Sequence, residues 1–256
     1  MSDEELYLFD LRGYLVIEGV LSAAEVAELN RLLDAQQLPP PAESVKSQRF
    51  GGFLFWDEPF RTLLDHPRIL PYLEVLLGDG FRLDHYYGIH MATDTGGLRL
   101  HGGGTPYEPE EYYVFRDRMY NGLSVVTWAL TDAPPEQGGS GCIPGSHKAN
   151  YPCPPDIRRF ERDPGCVIQV PMRAGDVVVF TEALTHGTHP WTAPHERRSL
   201  LFKYSPKHLA WGHHDQPWRA ELRDLLTERQ RRLLEPPYIP ERQPIVHAEG
   251  PGDVYG

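Results

Sequence analysis

Cysteine is scarce in this chain. Its 256 residues hold three, Cys142, Cys153 and Cys166, none of them in a Cys-x-x-Cys pair. That excludes a disulfide framework or a zinc knuckle and fits a reducing compartment. Cations are also in deficit: 25 Lys plus Arg face 36 Asp plus Glu, a formal charge of −11. So acidic a chain is poorly suited to a phosphate backbone, and no nucleic-acid partner is expected. No apolar run approaches the roughly 18 residues of a membrane span, so no membrane partner is expected either. The opening Met-Ser-Asp-Glu-Glu lacks a secretory pattern, which points to a cytoplasmic location. There is no internal repeat.

Glycine (24), proline (25) and histidine (12) are plentiful. The first two predict many turns between short strands, and the third makes a metal site worth seeking. Near the start, Tyr14-Leu15-Val16-Ile17 predicts a strand. Ser22 and Glu25 then form a capping box for a helix whose apolar face is Val26, Leu29, Leu32 and Leu33. A second helix is expected from near Pro67 to Gly78. From Phe81 onward short β-rich runs dominate, at 81–89, 98–100, 123–130, 167–170, 177–180 and 199–204. Helices do not alternate with them, so a parallel βαβ sheet is unfavoured and a sandwich or barrel is expected. An Arg-rich helix is expected from Pro217 to about residue 234, and 235–256 reads as a Pro-rich tail. The whole, 1–256, reads as one domain. The C-terminal helix and tail would support a homodimer, and the oligomeric state is left open.

Three segments carry the chemistry. Leu98-Arg99-Leu100-His101 ends a strand in a histidine followed by three glycines, which let ligands approach the ring. The strand Val177-Val178-Val179-Phe180-Thr181 delivers Glu182 and then His186 at its end. Arg197 follows eleven residues later, at the start of another strand. Two neutral imidazoles on neighbouring strands can hold Fe(II) on one face. A deeper guanidinium can grip the carboxylate of an α-keto acid chelating that iron. Strand alternation allows only one of Arg197 and Arg198 to face inward, and the spacing favours Arg197.

These segments, with Gln137-Gly138-Gly139-Ser140-Gly141-Cys142-Ile143-Pro144-Gly145-Ser146-His147-Lys148 and the opening Phe9–Ser22, resemble the phytanoyl-CoA dioxygenase family of Fe(II)/2-oxoglutarate-dependent oxygenases. The resemblance implies a mainly β fold, a double-stranded β-helix (jelly roll, cupin-like) covered by N-terminal and C-terminal helices. It implies His101 and His186 as iron ligands, Arg197 on the distal carboxylate of 2-oxoglutarate, and Trp128 lining the co-substrate pocket. Dioxygen would be the oxidant, and the expected activity is hydroxylation of a C–H bond of a small organic molecule.

The chain departs from the family at one position. The family's His-x-Asp supplies a third ligand, and here the corresponding residue is Gly103. Another carboxylate can fill the gap, with Glu182 the best candidate. Chloride can fill it instead, as in halogenases. Or iron binding is lost, leaving a non-catalytic small-molecule binding module. His147 reads as a loop-holding residue. Tyr107, Tyr112, Tyr113 and Tyr120 can form a lid or simply pack.

Overall fold

A computed structural model describes residues 1–102, 111–213 and 217–238. Gly103, Tyr107, His214 and most of the tail lie outside the described residues. The chain runs α1 (Asp3–Arg12), β1 (Tyr14–Ile17), α2 (Ala23–Ala35), β2 (Ser47–Phe50), α3 (Glu58–Thr62), α4 (Leu70–Leu77), β3 (Arg82–Met91) and β4 (Leu98–His101). It continues through β5 (Tyr112–Phe115), β6 (Arg118–Asn121), β7 (Ser124–Ala129), β8 (Gly139–Cys142), α5 (Pro155–Arg158), β9 (Ile168–Gln169) and β10 (Val177–Thr181). Last come β11 (His186–His189), β12 (Arg197–Ser205), α6 (Pro217–Leu222) and α7 (Glu228–Leu233).

The strands pair antiparallel in a six-stranded sheet, β1-β10-β7-β12-β3-β2, and a four-stranded sheet, β4-β11-β8-β9. Among the described residues they do not join into one hydrogen-bonded barrel, so the jelly roll is a two-sheet sandwich. The large sheet has two apolar faces. Trp128, Val179 and Phe202 turn outward to pack with Leu29 of α2, Leu73 of α4 and Leu233 of α7. Ala129, Val178 and Met91 turn inward with Leu184 and Trp191. Covering the outer face with helices leaves the inner face free to line a cavity.

Local chemistry explains the helical cover. Ser22 and Glu25 cap α2 reciprocally, as its sequence predicts. The helix begun by Ser2 and Glu5, α1, buries only Phe9. The expected single C-terminal helix is instead two, because Thr227 and Gln230 form a fresh capping box that starts α7. Tyr113 and Tyr120 stack across the β5–β6 hairpin, with ring centroids 4.8 Å apart. The Tyr112 hydroxyl donates to Asp10 at 2.6 Å, so this tyrosine packs the hairpin onto α1.

His147 ties the same corner together. Its Nε2–H donates to the Asp10 carbonyl at 3.0 Å, and its ring meets Tyr112 edge-on. Burial pushes the imidazole down to about 4. An unfolded histidine titrates near ~6.5, so between these values the unfolded chain binds a proton that the folded chain refuses. This contribution is intact above pH ~6.5 and is lost as pH falls toward 4, amounting to about 2 kcal/mol at pH ~5. Urea unfolding at pH ~7.5 and pH ~5 should show a smaller pH-dependent loss in His147→Gln than in the wild type. Equal losses would mean that His147 does not titrate as its burial requires.

Candidate metal and co-substrate site

The turn between β10 and β11 crosses from the large sheet to the small one, and it presents two polar groups within five residues. Glu182 follows the end of β10, its amide donating to the Leu123 carbonyl at 2.8 Å. His186 opens β11 and stands opposite His101 of β4 as its cross-strand partner. Paired residues point to the same face, so the two rings meet, with centroids 4.3 Å apart. Ligand atoms of His101, Glu182 and His186 all lie within 4.8 Å of one another. The glycine after His101 has a steric cause. A Cβ on Gly102 would sit 2.5 Å from the Glu182 carbonyl and 2.6 Å from that of Leu184, at a φ of +74°. Only glycine lets β4 end this close to the turn.

Each imidazole is oriented through its far nitrogen. His186 Nδ1–H donates to the Leu184 carbonyl at 2.6 Å, and His101 Nδ1–H donates to the Arg99 carbonyl at 3.2 Å. These bonds select the tautomer that leaves each Nε2 lone pair free for a cation. Burial lowers the His101 ring and pushes His186 down to about 4, so both stay neutral near pH 7. Glu182 is 5% exposed. Burial pushes its carboxyl up, but the Lys203 ammonium, the full positive charge beside it while His186 is neutral, opposes this, and the carboxyl is held below the usual carboxylate range. Lys203 Nζ donates to Glu182 Oε2 at 2.7 Å, while Glu182 Oε1 lies 3.7 Å from His186 Nε2.

Arg197 lies deeper. Its guanidinium donates to Ser140 Oγ at 2.9 Å and touches Met91 Sδ at 3.5 Å. Burial lowers it to about 10, which leaves it charged at neutral pH. A buried cation without a carboxylate among the described residues suits an anion from solution. Arg198 points the other way, toward Asp34 and Glu196. A cavity, partly open to solvent, connects Arg197 with both histidines and is walled by Val178, Phe180, Leu184 and Leu201.

One expected residue is elsewhere. Trp128 lies on the outer face, wholly buried against His66, with ring centroids 5.3 Å apart. Its neighbour Thr127 takes the cavity-facing place. One residue escaped the sequence reading: Lys203, whose ammonium closes on Glu182.

Two imidazoles and a carboxylate, with open positions beside them, are a donor set suited to non-haem Fe(II). The fold, with the relatives that follow, marks a non-haem iron, 2-oxoglutarate-dependent oxygenase. Residues 90–199 match the phytanoyl-CoA dioxygenase (PhyH) family model. HygX from Streptomyces hygroscopicus, solved with nickel, 2-oxoglutarate and hygromycin B, is similar at 25% identity and a TM-score of 0.72, over 83% of this chain and 90% of that one. Its iron-bound form gives 27% identity and a TM-score of 0.70 over the same shares. The non-heme alpha-ketoglutarate-dependent epimerase SnoN from nogalamycin biosynthesis shares the fold at 23% identity and a TM-score of 0.59, over 80% of this chain and 81% of that one. No curated protein matches the chain. No helix among the described residues is long and apolar enough to cross a membrane.

Proposed function

We propose that the protein hydroxylates a C–H bond of a small organic molecule, using Fe(II) held by His101, His186 and Glu182 and 2-oxoglutarate anchored by Arg197. The observation that carries this is the convergence of three ligand atoms within 4.8 Å, beside a buried guanidinium that has no acidic partner among the described residues. Bound iron, with 2-oxoglutarate and dioxygen, supplies the oxidising power, and succinate and carbon dioxide are the co-products. The chain's own residues do the rest. The Leu184 and Arg99 carbonyls hold the two rings with Nε2 aimed at the shared site. Lys203 fixes the Glu182 carboxylate and keeps it ionised. Ser140 accepts one Arg197 N–H, leaving the rest of the fork for the distal carboxylate of 2-oxoglutarate. The apolar walls limit water around the reacting centre.

Glu182 also supports oxygenation over halide transfer. A carboxylate close to both imidazoles fills the role that chloride would otherwise take.

Anaerobic addition of Fe(II) and 2-oxoglutarate is expected to produce a visible metal-to-ligand charge-transfer band. Admission of oxygen should then release succinate. Neither signal, together with no thermal stabilisation by either ligand, would leave a non-catalytic binding module. Mass analysis of products formed with chloride and bromide present should find oxygen incorporated and no halogen.

A further inference from the structure

The cavity described above is lined by three cations, Arg49, Lys203 and Arg197, and the acid at its metal end, Glu182, is already paired with Lys203. In the proposed site two of them are matched: Lys203 serves Glu182, and Arg197 would serve 2-oxoglutarate. Arg49 is different. It lies on β2, the edge strand of the large sheet, opposite Ile89 of β3, and so it faces the inter-sheet space. It pairs with no carboxylate among the described residues.

The guanidinium, on an exposed residue, stacks 4.7 Å over the ring of Tyr87, which itself lines the cavity. Stacking leaves the edge of the fork, with its N–H donors, free to meet a ligand. Arg49 also borders a second space, an outer groove walled by Val45, Gln48, Met91, Gly97 and Leu98. Ile89, Leu98 and Thr188, with Arg49, border both spaces, so the outer groove and the inner cavity adjoin at Arg49. No acidic side chain among the described residues lines the groove. A molecule lying across both spaces with one end toward the two histidines meets the Arg49 cation where they adjoin.

We propose that the primary substrate is an anion, and that Arg49 binds its carboxylate or phosphate group at the junction of groove and cavity while the remainder reaches toward His101 and His186. The assignment rests on the proposed function for where the reaction occurs. The anion site itself stands on Arg49, Tyr87 and a groove with no acidic side chain among the described residues. Arg49 is then a specificity-determining residue, on β2 rather than on β12 with Arg197.

The test uses the full chain loaded anaerobically with Fe(II) and saturating 2-oxoglutarate. The probes are 4-phenylbutyrate, its neutral amide 4-phenylbutyramide, and phenyl phosphate, each titrated by calorimetry. At least one anion is expected to bind about tenfold tighter than the amide, as befits one charge-assisted pair. Comparing carboxylate with phosphate shows which group the site prefers. Arg49→Gln should abolish the preference for anions, and Arg49→Lys should keep part of it. In both variants 2-oxoglutarate affinity, read from the charge-transfer band, should stay within about twofold of the wild type. Equal affinity for acid and amide, no saturable binding of any probe, or a preference that survives in Arg49→Gln overturns the proposal. If the band fails to form, the iron reading fails, and the same titrations on metal-free protein still decide whether Arg49 selects anions.

Discussion

Replacing Glu182 by Gln is expected to weaken Fe(II) binding by about a hundredfold or more, with succinate release falling in step. The substitution keeps the volume of the side chain but removes its charge. Two neutral imidazoles then face the metal without an anionic donor, and a divalent ion loses its strongest electrostatic partner at the site. Even groups that only orient a metal ligand cost about 10–100-fold when removed, so loss of a ligand should exceed that range. The substitution has a second effect, because Lys203 loses its countercharge at a buried position. Metal affinity and folding stability must therefore be read separately. Calorimetry of Fe(II) binding under anaerobic conditions gives the first, and urea unfolding of the metal-free protein gives the second. The double variant Glu182→Gln, Lys203→Met should recover stability without recovering metal affinity. If Glu182→Gln retained Fe(II) within about twofold of the wild type, the carboxylate would be a neighbour of the metal and not a ligand.

The parts of this site that were legible in the sequence are those where alternation or a fixed spacing speaks. The run Val177–Phe180 reads as a strand, and the polar pair Glu182 and His186 at its end stands out against it. Arg197 can be separated from Arg198 by counting faces. The same count extended along β12 gives Arg197, Ser199, Leu201 and Lys203 on one face, so an inward-facing lysine was available to a reader who continued it. Trp128 failed for a physical reason. Every residue of β7 is buried, because the strand packs against helices on one side and the second sheet on the other. With no polar face there is no alternation to give the phase, and Trp128 and Thr127 cannot be assigned to sides.

The short strand β8 was invisible for another reason. Its Gly-Ser-Gly-Cys sequence has little strand propensity, but a Cβ on Gly141 would come within 2.4 Å of the His189 ring. Packing against β11, not propensity, decides that residue. The polar edge strand β2 carried no readable signal either, and Arg49 reaches the cavity only because β2 pairs with β3 across some forty residues of chain.

Lys203→Met is expected to destabilise the metal-free protein by about 3 kcal/mol or more, a fall in Tm on the order of 10 °C for a chain of this size. Lys203 Nζ and Glu182 Oε2 meet at 2.7 Å, and both side chains are under a tenth exposed. Removing the ammonium leaves the carboxylate buried beside two rings that are neutral near pH 7, with no full positive charge to offset its desolvation. Methionine preserves most of the apolar stem, so lost packing is a minor part of the change. The distinctive expectation is what metal does next. In the wild type Lys203 competes with a metal ion for the electrons of Glu182. In the variant that competition is gone, and a divalent ion becomes the only strong countercharge available. Metal should therefore raise the Tm of Lys203→Met by more than it raises that of the wild type, narrowing the gap between them. Thermal unfolding with and without Zn(II), which cannot turn over, measures this without any catalysis. An equal gap in both conditions would separate the Lys203–Glu182 pair from the metal site, and with it the idea that this lysine holds the carboxylate ready for the ion.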